Sequence, residues 1–116
     1  MAAFAANLER GPIELRELRP SLRSWLELTT ATARTRDSVV LAIHEATANA
    51  MVHGRPGSAV TVSARQEESG NIAVEVSNLL AAGKNPRQVT SGRGLEMMRE
   101  LMREVEIQTT VRMLSR

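Results

Sequence analysis

Glu45 and Asn49 stand four residues apart in a stretch whose apolar positions recur at helical spacing, so one carboxylate and one carboxamide leave the same helix face. His53 extends that row by another turn. A carboxylate in this setting can accept a proton, and a carboxamide oxygen suits a hard cation. Glu-x-x-x-Asn pairs also arise by chance, and the bland alternative is an exposed polar stripe. His44-Glu45 invites two other chemistries. A zinc-protease helix needs His-Glu-x-x-His, but Ala48 occupies the second ligand position. A phosphoacceptor histidine followed by glutamate is usually trailed by a proline, where this chain has Asn49 and Ala50. His44 is therefore read as an ordinary histidine on a helix surface.

The second constellation is Gly92-Arg93-Gly94-Leu95. Gly-x-Gly is common and can merely end a loop, yet here it opens an apolar pattern of helical period. Backbone N–H groups at a helix start point outward unpaired with partial positive charge, and glycine lets a phosphate approach the main chain. Arg93 can add a bidentate phosphate contact. No Walker-type Gly-x-x-x-x-Gly-Lys-Ser/Thr loop is present, and Lys84 is the only lysine, which excludes a P-loop nucleotidase.

Several elements must position these residues. Ala2 to Leu8 reads as a first strand. Beyond Gly11-Pro12, the apolar residues Leu15, Leu18, Leu22, Trp25, Leu26 and Leu28 predict a helix over 13–29, with Pro20 either kinking it or opening its regular part. Thr35 is a candidate cap for a second helix that carries Val39, Val40, Ile43, Ala46, Glu45, Asn49, Ala50 and Met51 to near Gly54. A hairpin follows, Ala59 to Arg65 and Ile72 to Val76, turning at Glu67-Glu68-Ser69-Gly70-Asn71. The turn-rich stretch 78–91 reads as a long loop, Leu95 to Met102 as a third helix, and Val105 to Leu114 as strand. The order β-α-α-β-β-α-β predicts an α+β, two-layer sandwich: a mixed sheet of about four to five strands with three helices on one face.

Composition limits what such a fold can do. The 116 residues amount to one domain, 1–116, with a core of aliphatic residues, since Trp25 and Phe4 are the only aromatics. Acidic residues are interleaved with the arginines to a formal charge of +2, which is no nucleic-acid footprint. Arg16, Arg19 and Arg23 share one helical face, as do Arg99 and Arg103; solvated faces are the ordinary reading and docking of an acidic partner the sharper one. The absence of cysteine suits a reducing compartment, and no apolar run approaches the roughly 20 residues of a membrane span, so a cytoplasmic location is expected.

Taken together, Val39 to Gly54 resembles the N-box helix of the anti-sigma factor serine/threonine-protein kinases, a branch of the gyrase, heat-shock chaperone, histidine-kinase and mismatch-repair (GHKL) ATPase superfamily. Gly92 to Leu101, followed by Val105-Glu106-Ile107, is similar to that family's second glycine box and the strand behind it. The resemblance covers nearly the whole chain. It implies a Bergerat-type ATP-binding fold in which Glu45 is the general base toward a substrate serine and Asn49 ligates Mg²⁺. His53 would lie near the phosphates of ATP, with Gly92, Arg93, Gly94 and Leu95 around them. The loop 78–91 would be the lid. It further implies a homodimer that binds a sigma factor and phosphorylates an anti-sigma antagonist, in transcription regulation and stress response, without direct contact to nucleic acid or membrane.

Two departures bear on that expectation. The family's first glycine box, Asp-x-Gly-x-Gly, is replaced by Asn78-Leu79-Leu80-Ala81-Ala82-Gly83, so Asn78 would accept from the adenine amino group as a neutral amide. Residues 107–113 contain no glycine where the family turns a Gly-rich hairpin, leaving either a continuous strand or a tight turn. A weakly ATP-binding or non-catalytic docking module of the same fold is the alternative function. The ATP-binding half of a sensor histidine kinase is a third, disfavoured because no phosphoacceptor helix pair precedes the domain.

Overall fold

The computed structural model describes residues 3–8, 12–53, 59–77, 93–107 and 110–116. In chain order they form β1 (Phe4–Leu8), α1 (Pro12–Glu27), α2 (Ala33–His53), β2 (Val60–Gln66), β3 (Ile72–Ser77), α3 (Arg93–Leu101), β4 (Met102–Ile107) and β5 (Thr110–Ser115). The α+β sandwich expected from the sequence is thus the observed architecture. Its five strands are ordered β1-β2-β3-β5-β4.

Every neighbouring pair in that sheet is antiparallel, where a mixed sheet was expected. The reason lies in β5. A β3-α3-β4 crossover makes β3 and β4 run the same way, but β5 returns from β4 and inserts between them, so no parallel pair forms. The C-terminal question is settled in the same way: residues 102–115 form two strands, not one, with Ile107 opposite Val111. Residues 108–109 lie outside the described residues.

One sheet face is apolar because side chains alternate along each strand. The register aligns Phe4, Ala64, Val74, Met113 and Val105 in one row across the sheet. Ala6, Val62, Val76 and Val111 align in the next. Against these rows pack Leu18, Leu22, Trp25 and Leu26 of α1, Val39, Ile43 and Ala46 of α2, and Met98 of α3, forming one core. The opposite face carries the row Ala5, Ser63, Glu75, Arg112 and Glu106, in which Arg112 bridges to Glu75 at 3.3 Å.

The helix boundaries show local chemistry at work. Pro12 stands at the first position of α1, where a missing N–H costs nothing, and the helix continues through Pro20. Its end tightens into i→i−3 bonds, Leu28 N to Trp25 O and Thr29 N to Leu26 O, each 3.0 Å. The cap of α2 is Thr32 rather than Thr35. Thr32 Oγ1 accepts from Thr35 N at 3.2 Å and its carbonyl from Arg36 N at 2.9 Å, so the helix starts a turn earlier than Thr35 suggested. In the β2-β3 turn, Gly70 takes φ of 93°, a conformation that side chains resist.

Candidate active site

The rotation of α2 about its own axis is set by burial. Val39, Val40, Ala42, Ile43, Ala46 and Ala50 are driven onto the sheet and α1, and Thr47 satisfies its buried hydroxyl by donating to the Ile43 carbonyl. Glu45 and Asn49 are thereby turned to the side of the helix, half-buried, toward α3.

Helix α3 lies antiparallel to α2. Its start meets Glu45 and Asn49, while Leu101 at its end lines a small cavity with Arg34, Thr35 and Ser38 at the start of α2. Gly94, Met98 and Leu101 form its inward face at i, i+4 and i+7. Gly94 is the point of closest approach. A β-carbon there would stand 2.6 Å from Glu45 Oε1, 2.7 Å from Asn49 Nδ2 and 3.3 Å from Glu45 Cγ. Ordinary carbon contacts begin near about 3.5 Å, so any side chain at this position requires Glu45 and Asn49 to move.

Three of the residues singled out in the sequence, Glu45, Asn49 and Gly94, are thus brought together. Leu95 follows, half-buried, in the first turn of α3. The backbone of His53 closes α2 one turn beyond Asn49, and that of Arg93 opens α3. Asn78, Gly92 and the loop 78–91 lie outside the described residues. Among the described residues no group of three His, Cys, Asp or Glu side chains converges on a common point.

A contact that sequence spacing did not foresee borders the site. Arg19 of α1 spans to His44 of α2, its Nε donating to Nδ1 at 3.3 Å, with Nη2 at 3.1 Å from Nδ1 and 3.2 Å from Nε2. Burial, and next the Arg19 guanidinium, hold the His44 imidazole below its ordinary pKa of 6.5, while Glu45 pulls the other way. One turn on, Arg23 pairs with Asp37 at 2.9 Å. Two of the three arginines on that helical face are therefore engaged with α2, and the i, i+4 pattern gave no signal of which neighbour they would meet.

A carboxylate and a carboxamide of α2 therefore meet the glycine-bearing first turn of α3. The family model described as the histidine kinase-like ATPase domain matches residues 8–114. This chain belongs to that family. The ATPase domain has no match among curated proteins. Among solved structures it is similar to one described as the RsbU and RsbW domains of Rv1364c from Mycobacterium tuberculosis, with a TM-score of 0.76 and 22% sequence identity. That alignment covers 100% of this chain and 32% of the other, so the ATPase domain spans about a third of its neighbour. Identity at that level speaks to the fold. No described helix of the ATPase domain is long and apolar enough to cross a membrane.

Proposed function

We propose that this domain binds ATP with Mg²⁺ and phosphorylates a serine of a partner protein, acting as an anti-sigma factor kinase. The observation that carries this reading is the convergence of Glu45 and Asn49 on Gly94 at the first turn of α3. The residues fit the ligand chemically. Asn49 would hold the ion through its amide oxygen, which rotation of the terminal torsion exchanges with Nδ2. With no converging carboxylate cluster among the described residues, the remaining ligands would come from phosphate and water, the usual arrangement for magnesium. Bound there, the ion would supply positive charge to the phosphate oxygens.

The chain's own residues do the rest. Glu45 accepts the hydroxyl proton as the serine oxygen bonds to the γ-phosphorus and ADP leaves. Main-chain N–H groups in the first turn of α3 receive phosphate oxygens, and the bare Cα of Gly94 lets that turn lie against the carboxylate edge. The resemblance assigns Arg93, Gly92, Leu95 and His53 to the phosphates and Asn78 to the adenine.

Support for the anti-sigma assignment comes from the two sequence motifs and from the neighbour described as containing an RsbW domain. On this reading the partners are a sigma factor and an anti-sigma antagonist, the domain works as a homodimer, and its site of action is the cytoplasm. A docking module without catalysis is favoured by one feature alone, the neutral Asn78 where the family carries an aspartate.

Thermal melting and transfer assays separate the two. Mg-ATP is expected to raise the melting temperature of the wild type and leave that of Asn49→Ala unchanged. Glu45→Gln is expected to keep the nucleotide shift while losing phosphate transfer to a partner serine. Equal shifts in wild type and Asn49→Ala remove the kinase assignment, and full transfer by Glu45→Gln means that another group is the base.

A further inference from the structure

Four large apolar side chains stand exposed among the described residues, and three of them lie on the two helices that meet at Glu45: Leu41 (47% exposed), Val52 (75%) and Met97 (42%). The fourth, Leu28, follows the end of α1. Leu41, Glu45, Ala48 and Val52 recur at i, i+4, i+7 and i+11, so they form one stripe along the outer side of α2, away from the sheet. Met97 stands one turn beyond Gly94. Because α3 runs antiparallel to α2 from its contact with Glu45, that turn carries Met97 back along α2 toward Leu41. The neighbouring helices turn charge outward instead, Arg16, Glu17 and Glu27 on α1 and Glu96, Arg99 and Glu100 on α3. A helix that is apolar on both sides is one that is covered on both, and an exposed apolar patch rimmed by charge marks a contact surface.

We infer that this stripe is a rail for the acceptor segment of the partner protein, taking a large apolar side chain on each side of the phosphorylated serine. What lies in its middle names the occupant. Glu45, the carboxylate that would take the serine proton, sits between Leu41 and Val52, so a chain that passes its serine over the base lays its flanks on apolar residues. Helix rise puts Leu41 about 6 Å before Glu45 and Val52 about 10 Å after it. An extended chain advances about 3.3 Å per residue. The apolar residues of the acceptor segment therefore fall about two positions to one side of the serine and about three to the other, the nearer of them beside Leu41 and Met97.

Between Leu41 and Val52 the stripe carries no charge but Glu45, so a charged residue at either flanking position would lose water without gaining a partner. Ala48, small and half-buried, lets the chain lie close between the two apolar contacts. The rail depends on the kinase reading above and deepens it, by stating which serines the domain accepts.

Short peptides with one central serine and one flanking position randomised at a time, incubated with the domain and radiolabelled Mg-ATP, test this. The wild type is expected to label peptides with leucine, isoleucine, methionine or phenylalanine at the two stated positions about tenfold faster than peptides with glutamate or lysine there, the factor that one buried apolar side chain supplies. Leu41→Glu is expected to switch the preference at the nearer position alone from apolar to lysine or arginine. Val52→Ser is expected to erase the preference at the farther one. Both keep the melting shift with Mg-ATP, which shows that they fold and bind nucleotide, and Leu28→Ser, off the rail, changes neither preference. A wild type that binds Mg-ATP but labels no peptide, or labels them without regard to their flanks, overturns the rail and leaves nucleotide binding standing. Unchanged selectivity in Leu41→Glu overturns it as well, and a smaller particle by light scattering in that variant would give the stripe to a second copy of the chain. Absence of any Mg-ATP melting shift in the wild type removes the kinase reading, and the rail with it.

Discussion

Replacing Gly94 by alanine tests the geometry on which the functional reading depends. The added methyl would lie 2.6 Å from Glu45 Oε1 and 2.7 Å from Asn49 Nδ2, each about 1 Å inside normal contact. The carboxylate end of Glu45 can swing, but Cγ at 3.3 Å leaves only a few tenths of an ångström before the stem of the side chain must also move. Overpacking of this kind costs about 1–3 kcal/mol, and alanine recovers about 1 kcal/mol through its helix propensity. The net is a loss of about 0–2 kcal/mol, or up to roughly 8 °C in melting temperature for a domain of this size. Function is hit harder than stability, because whichever way the clash is relieved, Glu45 and Asn49 leave their positions or α3 moves off them. Differential scanning calorimetry with and without Mg-ATP, paired with isothermal titration, reads both quantities. The expected result is a mildly destabilised protein with little or no nucleotide heat. Unaltered melting together with wild-type nucleotide affinity would show that α3 and α2 are not in contact at this point, and the site as built here would be wrong.

Other consequences follow from the fold. Leu26, fully buried between α1 and the sheet, should cost about 2–5 kcal/mol on truncation to alanine, measured by urea unfolding. Thr32→Ala removes the side-chain acceptor for Thr35 N and should cost about 1 kcal/mol, whereas Thr35→Ala should cost less, a comparison that locates the cap. His44 carries a lowered pKa in the folded state, so the unfolded chain binds the proton more readily. Stability attributable to this residue is therefore full above 6.5 and falls as pH drops below it. His44→Gln should flatten that part of the pH–stability curve, and an unchanged curve would refute the assignment.

Where sequence and structure agree, the reason is strong periodicity over a long segment. In α2 the buried set Val39, Ile43, Ala46 and Ala50 both makes the helix and dictates that Glu45 and Asn49 leave it sideways. Alternation in β2 and β3, with Gly70 at the turn, made the hairpin legible for the same reason. The misreadings were decided by nonlocal or one-residue effects. Thr32 and Thr35 are equally good caps by type, and only the hydrogen bonds distinguish them. The insertion of β5 between β3 and β4 is a choice of neighbour, invisible to period. Gly94 was expected to serve phosphate approach, while its contact with Glu45 and Asn49 depends on how α3 lies across α2, which no local pattern encodes.

The central position of β5 also bears on how the chain comes to be folded. Strand 110–115 follows β4 in the chain, yet it supplies the partner for both β3 and β4, and its Ser115 hydroxyl accepts from the buried Ile72 N at 2.6 Å. Until those residues dock, β3 has a bare flank and β4 has no strand neighbour in the sheet. Docking of β5 therefore completes the sheet, and its loss would expose strand edges on both sides of the gap it fills.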